Sequence, residues 1–127
     1  MSGYLLDTNI VSAYIKGDRQ VERRLVEVEC TIPAPVVGEL YHWVFYPITN
    51  SERLNRLRSF LAVFPVLETD RATGEQYGLI SARLQAQGQR IPINDMWIAA
   101  LALQYDLIVA TRDSDFDRIP RLRVEKW

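Results

Sequence analysis

At 127 residues, 48% of them hydrophobic and 24% charged, the chain has the size and composition of one globular domain with a single core, and no apolar run approaches the ~20 residues of a membrane-spanning helix. One cysteine, Cys30, excludes an internal disulfide and a multi-cysteine zinc site, and one histidine, His42, argues against histidine-rich zinc chemistry. The net charge of −1 speaks against a generic nucleic-acid binder, although the basic side is 13 Arg and only two Lys, and arginine suits bidentate phosphate contacts.

The apolar run Tyr4-Leu5-Leu6 predicts a first strand, and Asp7-Thr8-Asn9 offers caps for a helix through about Ile15, ended by Lys16-Gly17-Asp18. No basic region precedes that first run, so no secretory signal and a cytoplasmic location are expected. Val21, Leu25 and Val28 form one stripe of a charged surface helix over 19–29. Residues 31–34 predict a second short strand, with Pro33 at an irregular or terminal position. Pro35 suits the first turn of a helix to about Tyr46, stopped by Pro47. Asn50 or Ser51 starts a further helix to about Val63, residues 64–67 make a third strand, and Asp70 caps a long helix ending before Gly88. Asn94 or Asp95 opens a nearly all-apolar helix over 96–103, a composition that belongs in the interior. A fourth strand over 107–110, a single turn over 114–117 and an edge strand over 122–124 follow. Strands alternating with helices imply one α/β domain, residues 1–127, with a mostly parallel sheet of about five short strands sandwiched by helices.

In such a sheet the carboxyl ends of the strands share one edge, where ligand chemistry sits. Asp7 ends the first strand, Asp113 and Asp115 follow the fourth, and Glu39 lies in the first turns of the helix after the second. Asp95 stands at the start of the buried helix, reached through a loop whose path the sequence does not give. Singly, each acid reads equally well as a cap, a solvated residue or a group placed by the helix dipole. Leu5-Leu6 and Trp97-Ile98-Ala99-Ala100, however, flank Asp7 and Asp95 with interior residues, and carboxylates at the rim of a dry core are costly unless paired or metal-bound. Four converging acids with no lysine, histidine or cysteine beside them in sequence repel one another unless divalent cations neutralise them. Mg²⁺ or Mn²⁺ fits such oxygen donors, and the matching chemistry is metal-assisted phosphodiester hydrolysis by water.

Together, the segments LLDTNIV, VVGELYHW, INDMWIAALAL and IVATRDSDF, in this order and spacing, resemble the PIN domain, in particular the VapC-like ribonuclease toxins of bacterial toxin-antitoxin systems. The resemblance covers nearly the whole chain and implies an acidic metal site of Asp7, Glu39, Asp95 and Asp113, with Asp115 as an optional fifth member. It further implies that Asn9 supports the first aspartate and that Thr111 supplies the hydroxyl preceding the last motif; Gly38, beside Glu39, departs mildly and is expected to loosen its helix turn. The implied activity is a Mg²⁺- or Mn²⁺-dependent endoribonuclease leaving 5′ phosphate and 3′ hydroxyl ends. The implied partners are RNA, a cognate antitoxin that blocks the site and a second copy of the chain. Residues 41–46 read equally as a contact surface or as an aromatic helix packed in its own core, and His42 is expected at an interface or in the core.

Setting aside the four proposed ligands leaves 15 basic against 16 − 4 = 12 acidic residues, a balance of +3, with Arg19, Arg23, Arg24, Arg112, Arg118 and Arg121 as unassigned candidates to guide RNA. One alternative is a binding module whose acidic site takes a partner's arginine and whose catalysis is vestigial. Another, a receiver- or phosphatase-like protein with Asp7 as phosphoryl acceptor, is disfavoured: the only lysines are Lys16 and Lys126, and Asn9 stands where a dehalogenase-type enzyme has a second aspartate.

Overall fold

The computed structural model describes residues 3–127. In chain order it contains β1 (Tyr4–Leu6), α1 (Thr8–Ile15), α2 (Arg19–Glu27), β2 (Cys30–Pro33), α3 (Ala34–Phe45), α4 (Ser51–Val63), β3 (Val66–Leu67), α5 (Arg71–Ala86), α6 (Ile93–Tyr105), β4 (Ile108–Thr111), a 3-10 turn (Asp115–Arg118) and β5 (Val124–Lys126). The five strands form one sheet in the order β3-β2-β1-β4-β5, and every neighbouring pair is parallel.

The interior strands are the apolar ones. Adjacent residues Leu5 and Leu6, which point to opposite faces of β1, are both fully buried, as are Val109 and Ala110 of β4, so helices cover both faces of the sheet. Gly3 leads into β1 at φ +116, where an added Cβ would stand 2.6 Å from the Glu29 carbonyl oxygen. Only glycine fits so close to the chain entering β2. α5 starts at a capping box between Asp70 and Thr73, and Gln104 of α6 bonds both, which ties these two helices together.

Of the boundaries that differ from the expectation, most by one or two residues, three have an evident cause. β5 begins at Val124 rather than Leu122, because Arg121 adopts φ 66 and turns the chain before pairing can start. β3 is reduced to two residues: Pro65 accepts from the Ile32 amide but has no N–H of its own to extend the ladder. α6 begins at Ile93 behind Pro92, earlier than Asn94, so neither Asn94 nor Asp95 serves as its cap. Gly38 does not interrupt α3, and Cys30 is buried as a small apolar residue. No helix among the described residues is long and apolar enough to cross a membrane.

Candidate active site

All five acids singled out in the sequence lie at the carboxyl edge of the sheet. Asp7 follows β1 as the N-cap of α1; it is 5% exposed, accepts from the Thr8 amide at 2.7 Å and from the Thr111 hydroxyl at 2.7 Å. These two bonds fix both carboxylate oxygens and join the ends of the adjacent strands β1 and β4. Burial raises the Asp7 pKa, and the nearby Glu39 and Asp113 carboxylates add to this, while its two hydrogen bonds oppose it.

Asp95, Asp113 and Asp115 each offer a carboxylate oxygen within 4.8 Å of the others. Asp113 and Asp115 are brought together by a local fold: the Asp113 amide donates to the Thr111 hydroxyl at 2.9 Å, and the Asp115 amide to the Asp113 carboxylate at 2.9 Å. Asp95 is 8% exposed on the first turn of α6, and its pKa is pushed up to about 7 by burial first and then by Asp7, Asp113, Asp115 and Glu39. A carboxylate raised by burial and by four neighbouring acids, with no cation among the described residues bonded to it, marks a candidate functional site.

Asp7, Glu39, Asp95 and Asp113 line one cleft together with Thr8, Asn9, Ser12 and Pro92 to Asn94. Glu39 stands in the second turn of α3 and accepts from the Thr8 hydroxyl at 2.8 Å, which holds it on the wall of the cleft. The structure thus gathers Asp95, Asp113 and Asp115 most tightly, with Asp7 and Glu39 lining the same space. Asp115, only an optional fifth member by the resemblance, is brought into the tightest group by this backbone turn.

Asn9 is placed differently from the expectation that it braces Asp7. Its Oδ1 accepts from the Arg112 amide at 3.3 Å, so it holds the loop after β4. Thr111 does contact Asp7, as described above. Cations are not wholly absent from the rim: Arg118 pairs with Asp115 at 3.3 Å, and Lys126 reaches the Asp113 carbonyl and pairs with Asp117 at 3.3 Å. Of the arginines considered as RNA guides, Arg24, Arg112 and Arg118 are committed to Glu125, Asp18 and Asp115. His42 is neither buried nor in the core; it is exposed and stacks on Tyr46 at 5.4 Å.

The family model described as PIN domain matches residues 4–122. The chain belongs to the PIN domain family. Ribonuclease VapC4 of Mycobacterium tuberculosis is 30% identical to it over 122 residues, covering 94% of this chain and 93% of that protein. The fold superposes with a TM-score of 0.92 on VapBC2 from Rickettsia felis bound to a DNA fragment from their promoter, at 26% identity, covering 100% of this chain and 99% of that one. It also matches VapBC-5 of Mycobacterium tuberculosis, a member of the VapBC family of toxin-antitoxin systems, with a TM-score of 0.76 and 27% identity over 98% of this chain and 96% of that one.

The sequence reading of this PIN domain missed the part played by Thr8, which links α1 to Glu39 across 31 residues, and the presence of Ser12 and Asn94 in the cleft. Ser12 lies one helical turn beyond Thr8 and on the same face, so the cap at Asp7 together with helical periodicity carried a usable signal for it.

Proposed function

We propose that this PIN domain is a divalent-metal-dependent endoribonuclease and the toxin of a toxin-antitoxin pair. The observation that carries the reading is the convergence of acids: Asp7, Glu39, Asp95 and Asp113 line one cleft, and Asp115, the one member in an ion pair, closes on Asp95 and Asp113 beside it. The donor set is all oxygen, which suits a hard cation, Mg²⁺ or Mn²⁺, and the likeness to proteins named ribonuclease supports RNA as the substrate.

Asp7, Glu39, Asp95 and Asp113, with Asp115, are the residues that would hold the metal. When bound, it supplies Lewis-acid polarisation of the phosphodiester and of the attacking water. The chain's own part is preorganisation. Thr111 and the Thr8 amide hold both oxygens of Asp7, the Thr8 hydroxyl holds Glu39, and the turn from Thr111 to Asp115 holds two carboxylates against Asp95. Among the described residues lining the cleft there is no cysteine or serine–histidine pair to serve as a covalent nucleophile, and attack by water leaving 5′ phosphate and 3′ hydroxyl ends, as the PIN-domain resemblance implies, is part of the same proposal.

The partner that restrains this activity is an antitoxin, and a second copy of the chain completes a homodimer, in line with the likeness to VapBC complexes. Cytoplasmic action is part of the same proposal. The test is cleavage of total cellular RNA by antitoxin-free protein in Mg²⁺ or Mn²⁺, against Asp95→Asn and against chelator. Discrete fragments that vanish in both controls support the reading. Intact RNA with folded wild-type protein that still binds its partner would favour the vestigial binding module instead.

A further inference from the structure

Glu39, His42, Trp43 and Tyr46 stand at i, i+3, i+4 and i+7 on α3 and its C-cap and so share one face. A second hollow, lined by Thr8, Gly38, Glu39, His42 and Asn94, shares Thr8, Glu39 and Asn94 with the acidic cleft and therefore continues it along this helix. A Cβ at Gly38 would meet nothing within 4 Å, so the space over this position is open.

Beyond the hollow the face becomes aromatic and basic. His42 and Tyr46 are exposed and stacked, with ring centroids 5.4 Å apart and planes 12° from parallel. The Trp43 ring has the Arg53 guanidinium 4.3 Å and the Lys16 ammonium 5.6 Å from its centroid. Neither cation is in an ion pair among the described residues, whereas Arg24, Arg112, Arg118 and Lys126 all are. Tyr46 lies seven positions after Glu39, about 10 Å along the helix axis.

Unneutralised carboxylates in the cleft repel a phosphodiester, so affinity for a polyanion must come from outside it. Free cations for phosphates beside stacked rings with an open face for a base are the means by which single strands are held. We propose that this face of α3 is the track of a single-stranded RNA substrate, with phosphates passing Lys16 and Arg53 and a nucleobase stacking on the His42–Tyr46 pair. The inference rests on the ribonuclease reading and adds the residues that grip the strand next to the scissile bond.

The test uses the full chain and a 5′-fluorescein-labelled single-stranded 12-mer RNA. Binding is read by anisotropy in chelator, where no cleavage occurs, and KM and kcat are read separately in Mn²⁺. Tyr46→Ala and His42→Ala are expected to weaken binding roughly five- to hundredfold, with the loss in KM rather than kcat, and Tyr46→Phe or Tyr46→Trp to restore it. The Lys16→Gln/Arg53→Gln pair should flatten the slope of log affinity against log salt by about 1.4. All four side chains reach the surface, and unchanged melting curves establish that the variants fold. Variants that bind and cut the RNA like wild type overturn the track and leave the nuclease reading standing; wild type that neither binds nor cuts overturns both. Loss of partner-protein binding with unchanged RNA affinity assigns the face to a protein interface and also overturns the track.

Discussion

Two carboxylates in this molecule sit in opposite surroundings. Glu125 on β5 accepts from the Tyr4 hydroxyl at 2.7 Å, from the Trp127 indole N–H at 3.1 Å and from the Arg24 guanidinium, which also lies 5.6 Å and 5.1 Å from the Tyr4 and Trp127 ring centroids. The Tyr4 hydrogen bond, helped by Arg24 and Trp127, holds its carboxyl below the usual range. Asp95 on α6 is raised to about 7 by burial and four other acids. The first cluster is completed by the chain itself and fastens the edge strand to β1 and α2. The second is left incomplete, at a cost to stability that folding alone does not require, which is the signature of a site rather than a strut.

That contrast can be broken most directly at the cleft. Asp7→Asn, Asp95→Asn and Asp113→Asn should each lower RNA cleavage by at least about 10²-fold, read by gel assay, the scale of losing one stabiliser of developing charge. Asp95→Asn should meanwhile melt no lower than wild type in metal-free buffer at pH 8, because it removes a repelled charge. Next in size, Thr111→Val takes a hydrogen bond from the Asp7 carboxylate. It should weaken Mn²⁺ binding about 10–100-fold in a thermal-shift titration and cost about 1–3 kcal/mol in denaturant unfolding.

A smaller effect is pH-dependent. Because the Asp95 pKa is raised in the folded state, the folded protein keeps a proton that the unfolded chain has lost between about pH 4 and 7. Metal-free stability should therefore fall as pH rises from 5 to 7 and level off above, and both Asp95→Asn and saturating Mg²⁺ should flatten the profile. A calorimetric melting series checks this, and a rising profile would contradict it. Smallest is Glu125→Gln, a partly exposed ion-pair member, expected to cost about 1 kcal/mol or less while leaving metal affinity unchanged. A change in metal affinity there would show that the two clusters are coupled.

Much of this site was legible because the sheet is parallel. Once Leu5-Leu6 and residues 107–110 read as buried strands, the carboxyl-edge rule placed Asp7 and Asp113 together without any knowledge of side chains. Asp95 was legible through its apolar neighbours Trp97 to Ala100, although the start of its helix at Ile93 was not, since the loop before it carries no periodicity. The edge strand β5 was legible but its start at Val124 was not, because that turns on a positive φ at Arg121, a conformation with no sequence signature in a non-glycine residue. The Thr8–Glu39 bond and the Asp18–Arg112 pair were hidden for a different reason: they join residues far apart in the chain, and no local pattern encodes them. Asp115 was in view, yet its rank depended on a backbone turn, and the choice between core and interface for His42 stayed open because an aromatic run on a helix looks the same whether it faces core or solvent.

The central claim is that the incomplete cluster is built to hold a divalent cation, and calorimetric titration of Mn²⁺ into metal-free wild type and Asp95→Asn at pH 8 tests it most directly. Saturable binding by wild type, lost or weakened by at least about tenfold in Asp95→Asn, is the predicted result. Equal binding by the two, or none by folded wild type, would contradict the account.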